Sequence, residues 1–137
     1  MSDPFRLDGK RAVVTGAGKG IGRGISLQLA RAGADLVISS RTQEDLDSLA
    51  IEIEALGRQA TKVVVDVTNT AEVEDLAAQA VAEGGIDVWV NNAGGLPDAT
   101  PRYLTRTPED RWDAQLDLNL KAVFIACQVA ASNIEEG

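Results

Sequence analysis

A glycine-rich segment near the start of the chain restricts its fold more than any other feature. Residues 15–22 read Thr-Gly-Ala-Gly-Lys-Gly-Ile-Gly, after an apolar stretch at residues 11–15 that is typical of a buried strand. The apolar spacing that follows predicts a helix. Glycine permits the tight turn between the two and lets the backbone approach a ligand with no Cβ in the way. Because a helix N-terminus also offers unpaired N–H groups and a positive dipole end, this turn predicts a dinucleotide pyrophosphate site.

The spacing of the glycines separates this turn from two common nucleotide motifs. The general fingerprint G-x-G-x-x-G needs glycine where Ile21 stands, and the NTPase loop needs Ser or Thr after Lys19, where Gly20 stands. The pattern present is T-G-x-x-x-G-x-G, which resembles the cofactor loop of the short-chain dehydrogenase/reductase family. The resemblance implies that the loop binds a nicotinamide dinucleotide through Gly16, Lys19, Gly20, Ile21 and Gly22. A glycine-rich turn alone can also be purely structural.

Strand and helix patterns alternate four times along the 137 residues. This alternation predicts an α/β fold with a Rossmann-type, doubly wound parallel sheet of four strands and about four helices. The strands are expected at residues 11–15, 36–39, 60–65 and 86–90. In the order 3-2-1-4, the apolar fourth strand would form a bare edge, which soluble proteins avoid.

The end of the second strand indicates the form of the coenzyme. An acidic residue about 20 positions after the glycines would accept hydrogen bonds from the ribose of NAD. Ser40 and Arg41 stand there instead, and a guanidinium can pair with a 2′-phosphate. Lys19 resembles the second basic residue of family members that prefer NADP. NADP is therefore favoured over NAD, although Arg41 can also be read as a solvated residue at a strand end.

Two further segments follow the third and fourth strands. The resemblance implies that the Asp66 side chain contacts the adenine amino group and that the Val67 backbone assists; alternatively, the polar residues at 66–70 simply cap the next helix. After the fourth strand, Asn91-Asn92-Ala93-Gly94 matches a second family signature. There, the tetrad supports the sheet and lies against the cofactor ribose, which makes Asn92, Ala93 and Gly94 candidate coenzyme contacts.

A long helix is predicted over residues 108–134, with Thr107 as its cap and Pro108 in the first helical position. At 100° per residue it carries two apolar faces, one with Leu116, Leu120, Val123, Phe124 and Cys127, and the other with Leu118, Ile125 and Val129. Two faces need two partners, of which one can be the sheet. Since the family builds a dimer interface from this helix, we expect a homo-oligomer through residues 108–134.

Asn119 aligns with the asparagine of the family's catalytic tetrad of Asn, Ser, Tyr and Lys. In the family this residue perturbs the helix so that a backbone carbonyl holds a water of the proton relay, whereas an asparagine in mid-helix is ordinarily just a satisfied amide. The single tyrosine, Tyr103, precedes Asn119 and is followed four residues later by Thr107 rather than by lysine. Residues 1–137 therefore match the N-terminal half of the family domain, truncated before the catalytic Ser and the Tyr-x-x-x-Lys segment, and we expect the chain alone to be inactive.

Composition excludes several other functions. The net charge of −8 disfavours nucleic acid and anionic membranes as partners. The chain has no histidine, which excludes serine–histidine chemistry and zinc sites built on His, and no metal site is expected. The single cysteine, Cys127, is expected to be a small core residue. Without a run of about 20 apolar residues, no membrane span is expected and the protein is predicted to be cytoplasmic.

The motifs together predict an NADP(H)-dependent oxidoreductase of the short-chain type. It would move hydride between the nicotinamide and a small-molecule carbonyl or secondary alcohol. The alternative is a non-catalytic nucleotide-binding or oligomerisation module, since the chain holds a cofactor site without an acid–base apparatus.

Overall fold

A computed structural model of the chain describes residues 3–134, so the first two and last three residues of the predicted domain lie outside it. Its four strands are β1 (Arg11–Val14), β2 (Asp35–Ser40), β3 (Ala60–Val64) and β4 (Val88–Val90). They form one parallel sheet in the order β3-β2-β1-β4. The predicted fold class and strand order are confirmed, and β4 is two residues shorter than predicted.

Helices connect the strands and continue after the last one. Their bounds are α1 (Gly20–Arg31), α2 (Gln43–Ala55), α3 (Thr70–Ala82), α4 (Glu109–Leu116) and α5 (Ala122–Asn133). A short 3-10 turn (Leu104–Arg106) precedes α4, and a π turn (Asp117–Lys121) joins α4 to α5. No helix within residues 3–134 is long and apolar enough to cross a membrane.

The sheet is covered on both faces by different helices. Alternate residues of a strand point to opposite faces, so Ala12 and Val14 of β1 pack toward α1 and α2, while Val13 packs toward α3 and α5. All three side chains are fully buried. The two-sided burial explains why the strands read as continuous apolar runs rather than as alternating ones.

The single helix predicted over residues 108–134 is divided by the π turn, and its N-terminus differs from the prediction. Pro108 occupies the N-cap position, and helix α4 begins at Glu109. Thr107 is not the cap, because its hydroxyl donates instead to the carbonyl of Tyr103 at 3.1 Å. That hydrogen bond ties Thr107 back to the 3-10 turn and away from the free N–H groups of α4.

The two predicted apolar faces of this helix lie in different surroundings within the described chain: Val129 of one packs against the core, and Leu120 and Phe124 of the other face outward. The buried positions of α5 are Ala122, Ala126 and Ala130, whereas Leu120 and Phe124 are exposed by 64% and 59%. The prediction did not name the buried alanines, whose small side chains allow α5 to pack closely on α3. Cys127 is exposed rather than in the core, and its Sγ lies 3.3 Å from Asn91 Nδ2.

Candidate functional site

A cleft of about 680 Å³ opens where the parallel strands end. The crevice at the carboxyl ends of the strands is where open α/β sheets bind ligands. Most residues predicted to bind coenzyme line it: Gly16, Lys19, Ser40, Arg41, Asp66, Val67, Asn92, Ala93 and Gly94. Gly20, Ile21 and Gly22 lie outside its lining, and the Ile21 side chain is 78% exposed. The cleft thus unites segments that are far apart in sequence, from Gly16 to Leu118.

The glycine turn forms one end of the cleft, and at Gly16 and Gly22 backbone atoms leave no room for a side chain. Gly16 has φ +62°, and a Cβ there would lie 2.8 Å from the Cα of Ala93. A Cβ on Gly22 would collide with the carbonyl oxygen of Gly16 and with the Asn92 amide. The first turn of α1 therefore packs directly on the loop, and the wall offered to a ligand is backbone. Such a cradle at a helix N-terminus fits a pyrophosphate.

Thr15 holds the glycine turn against the segment that follows β4. Its Oγ1 accepts hydrogen bonds from the backbone N–H groups of Asn92 and Ala93, each at 3.1 Å, and lies 3.3 Å from the carbonyl of Val90. The Asn92 side-chain amide donates to the Gly16 carbonyl at 3.1 Å. Thr15 is only 2% exposed. Sequence reasoning did not select Thr15, although its place directly before the first glycine was the available signal.

Gly18 is a second residue that sequence reasoning missed. A Cβ on Gly18 would lie 2.8 Å from the Cβ of Asp45 and 3.1 Å from Ser40 Oγ. The N-terminus of α2 thus packs against the glycine turn. This contact brings the Asp45 side chain into the cleft, where its Oδ2 lies 3.6 Å from Lys19 Nζ.

Ser40 and Arg41 line the cleft at the end of β2, beside Gly18 of the glycine turn. Ser40 Oγ lies 3.1 Å from both the N–H and the carbonyl of Thr42, which fixes its side chain at the strand end. Within residues 3–134, Arg41 forms no ion pair shorter than 4.0 Å, so its guanidinium is available to an anion. No carboxylate stands at the strand end itself.

Asp66 and Val67 lie in the cleft wall after β3. Asp66 Oδ1 accepts hydrogen bonds from the N–H and the hydroxyl of Thr68, at 3.0 and 2.7 Å. These bonds hold the pKa of the Asp66 carboxyl below its usual range, and the charge of Arg41 adds to the effect. Asn69, rather than Asp66, caps α3 by accepting from the N–H of Glu72. Of the predicted capping residues, Asn69 alone fills that role.

Asn119 lies in the π turn and binds the loop after β4. Its side-chain amide accepts from the N–H of Gly95 at 2.9 Å and donates to the carbonyl of the same residue at 2.8 Å. The Gln115 side chain accepts a further hydrogen bond from Asn119 Nδ2 at 2.8 Å. Asn119 itself does not line the cleft, but its neighbours Asp117 and Leu118 do. The arrangement joins the disrupted helix to the cleft wall.

The loop between β4 and α4 supplies the outer wall. Leu96 and Pro97 line the cleft, and Arg111 of α4 donates from Nη2 to the carbonyl of Asp98 at 2.6 Å. Its Nε also lies 3.8 Å from Asp98 Oδ2. Hydrogen bonds from Thr100 hold the pKa of Asp98 below its usual range, and the nearby Arg111 charge contributes. The loop is thereby fastened to α4 over the cleft.

Comparison with known proteins identifies the family of this chain. The model of the short chain dehydrogenase family matches residues 10–137. The chain belongs to the short-chain dehydrogenase/reductase family. It is 46% identical to an uncharacterized oxidoreductase of Mycobacterium tuberculosis over 113 residues, which cover 82% of this chain and 42% of that relative. The chain spans about half the length of the curated relatives it matches.

Solved structures of the family include complexes with both coenzymes. A Burkholderia cenocepacia short chain dehydrogenase in complex with NADP superposes with a TM-score of 0.87 at 39% identity, covering 96% of this chain and 53% of that one. Carveol dehydrogenase from Mycobacterium avium in complex with NAD superposes with a TM-score of 0.87 at 27% identity, covering 95% and 51%. The family therefore accommodates either coenzyme on this fold.

Proposed function

We propose that this chain forms the coenzyme-binding half of an NADP(H)-dependent short-chain oxidoreductase. The reaction would transfer hydride between the nicotinamide and a small-molecule carbonyl or secondary alcohol. The observation that carries the proposal is the glycine turn: Gly16 and Gly22 leave no space for side chains, and the turn stands at the edge of the sheet where the cleft opens. A ligand bound there meets backbone N–H groups and a helix N-terminus, which suits a pyrophosphate.

The remaining cleft residues would hold the adenosine part of the coenzyme. Arg41 and Lys19 supply positive charge for a 2′-phosphate, and Ser40 leaves room for it. Asp66 keeps one carboxylate oxygen outside its Thr68 hydrogen bonds and can accept from the adenine amino group, with the Val67 backbone beside it. Asn92, Ala93 and Gly94 would lie along the ribose. The coenzyme supplies the hydride; these residues bind and orient it.

Asn119 is proposed as the residue through which the helix joins the proton relay. Its amide is engaged by Gly95 and Gln115, and it stands within the π turn, where the regular helical hydrogen bonds are interrupted. A backbone carbonyl released by that interruption can hold a water. We propose that the serine and the Tyr-x-x-x-Lys pair of the reaction are supplied by sequence outside these 137 residues, so that this chain alone is inactive.

The exposed apolar side of helices α4 and α5 supports self-association of the protein. Leu116, Leu120 and Phe124 are exposed by 40%, 64% and 59%. Apolar side chains that recur along one helix side mark an interaction surface more often than a free one. We propose a cytoplasmic homo-oligomer, with no nucleic acid or membrane partner. Light scattering of the full-length protein is expected to give at least a dimer, and a stable monomer would reject this part.

Coenzyme titration separates the proposed enzyme from the alternative, a non-catalytic binding or oligomerisation module. The full-length protein is expected to bind NADPH more tightly than NADH and to oxidise it with a panel of aldehydes and ketones. Tighter binding of NADH would overturn the NADP assignment. Binding of coenzyme without turnover of any carbonyl or alcohol, together with an intact mass near 14.4 kDa, would favour the module.

A further inference from the structure

The adenosine end of the cleft contains a carboxylate that the motif at the end of β2 does not supply. Asp45, in the first turn of α2, lines the cleft with Ser40 and Arg41. Its position is set by packing, because Gly18 approaches so closely that an added Cβ would lie 2.8 Å from the Asp45 Cβ. The adenosine end of the cleft therefore contains an acidic side chain, although β2 itself does not end in one.

Asp45 is paired with a cation that the proposed function assigns to the 2′-phosphate. Its Oδ2 lies 3.6 Å from Lys19 Nζ. The two side chains are unequally held, since Asp45 is 26% exposed and Lys19 is 81% exposed. The carboxylate is thus the fixed partner, and the ammonium is the one that can move toward another anion.

The charges at this end of the cleft balance in the absence of ligand. Lys19 and Arg41 are positive, and Asp45 and Asp66 are negative, with the pKa of Asp66 held below its usual range by its Thr68 hydrogen bonds and by Arg41. A phosphate monoester brings up to two further negative charges. At separations within a Debye length, about 8 to 10 Å in ordinary buffers, these charges act on one another.

We propose that Asp45 is a coenzyme-specificity residue, which competes with the 2′-phosphate for Lys19 and lowers the preference for NADPH over NADH. This inference rests on the proposed function and refines it. NADPH binding would have to draw Lys19 away from Asp45 and leave a carboxylate near the phosphate, whereas NADH binding requires neither change. Arg41 would then be the main attractive contact for the phosphate and Asp45 the opposing one.

The test compares D45N with D47N in the full-length protein. Both variants remove one negative charge from α2. Asp47, however, pairs with Lys62 of β3 and does not line the cleft. Dissociation constants of NADPH and NADH are measured by calorimetry, and those of adenosine 2′,5′-bisphosphate and 5′-AMP report on the adenosine end alone. A thermal melt of each variant verifies folding, because acids in a first helical turn are mildly stabilising.

We expect D45N to raise the NADPH preference, the ratio of the NADH to the NADPH dissociation constant, about two- to five-fold, within the range of one exposed ion pair. The same factor is expected for the bisphosphate over 5′-AMP, and 0.5 M NaCl should reduce it. D47N should leave both ratios unchanged. An unchanged or lower ratio in D45N, or an equal rise in D47N, would overturn the inference.

The role of Lys19 is tested by repeating D45N in a K19M background. If Asp45 acts by competing for Lys19, D45N should raise the NADPH preference much less in the K19M background than in the unsubstituted protein. A gain of the same size in both backgrounds would contradict the competition. Failure of the unsubstituted protein to bind either coenzyme is a separate result, because it would reject the proposed function itself rather than the assignment of Asp45.

Discussion

The two ends of the cleft are built by different physical means. At the glycine turn, Gly16, Gly22 and Ala93 are in contact through backbone atoms, and a single added methyl group meets a fixed neighbour. At the adenosine end, Lys19 and Arg41 reach the cleft by long side chains, and the Lys19 side chain is 81% exposed. The first end tolerates almost no change in shape, whereas the second can be altered one charge at a time. We therefore expect substitutions at the glycine turn to weaken binding of both coenzymes strongly, and charge substitutions at the adenosine end to change NADPH binding by a smaller factor.

The largest effect is expected from G22A at the sterically closed end. The new Cβ would meet the Gly16 carbonyl oxygen and the Asn92 amide, so the loop and the helix N-terminus must separate. We expect binding of both coenzymes to weaken by roughly 100-fold, because overpacking of a fixed site costs about 1–3 kcal/mol. Calorimetric titration of NADPH and NADH measures the loss.

G24A is the matched control for G22A. Gly24 lies in the same helix, and a Cβ there has no neighbour within 4 Å. We expect unchanged coenzyme binding and a gain in stability of about 0.5–1 kcal/mol, because alanine is the better helix former. Equal losses of binding in the two variants would contradict the steric account of this end.

The second prediction concerns the hydroxyl that joins the glycine turn to the segment after β4. T15V keeps the side-chain volume but leaves the N–H groups of Asn92 and Ala93 without their acceptor. We expect a loss of about 2 kcal/mol in the free energy of unfolding, the usual effect of leaving buried donors unpaired. Urea denaturation of T15V and of the control T15S, which retains the oxygen, separates the hydroxyl from the methyl group. Equal stability of T15V and the unsubstituted protein would show that these two hydrogen bonds do not stabilise the fold.

The third prediction probes the charged end through Arg41. R41M is expected to weaken NADPH binding about ten-fold with little change for NADH, because a charge-assisted contact to the 2′-phosphate is lost. R31M removes the same charge at the far end of α1, outside the cleft lining, and should change neither constant. If R41M weakened both coenzymes equally, Arg41 would be acting on something other than the 2′-phosphate.

The smallest effect is expected for the acid dependence of stability at Asp66. Since hydrogen bonds from Thr68 lower the pKa of this carboxyl in the folded protein, it stabilises the fold above its ordinary pKa. That contribution is lost as the pH falls below about 4 and through the lowered pKa. In D66N the stability should fall less steeply over this acidic range than in the unsubstituted protein. Denaturation curves collected between pH 7 and 3 compare the two slopes, and equal slopes would contradict the assignment.

The sequence predicted the closed end of the cleft better than the charged end. Glycine spacing depends on local backbone geometry, so the strand, the turn and α1 could be predicted around Gly16 and Gly22. The parallel α/β sheet followed from the alternation of strands and helices. The contact of Thr15 with Asn92 and Ala93 joins residues 77 and 78 positions apart, and single-sequence patterns do not reveal such pairs.

Failures of prediction occurred where packing between elements decides the outcome. Asp45 enters the cleft because Gly18 admits α2 at close range, which the sequence around Ser40 does not indicate. Likewise, the buried alanines of α5 were missed because the predicted faces were defined by larger apolar side chains, whereas close packing of α5 on α3 selects small ones.

The central claim is that the cleft between the glycine turn and Arg41 binds a nicotinamide dinucleotide by its pyrophosphate and its 2′-phosphate. Calorimetric titration of the full-length protein with NADPH and with NADH tests it most directly. Saturable binding of both coenzymes, with the smaller dissociation constant for NADPH, is the predicted result. No measurable affinity for either coenzyme would contradict the account.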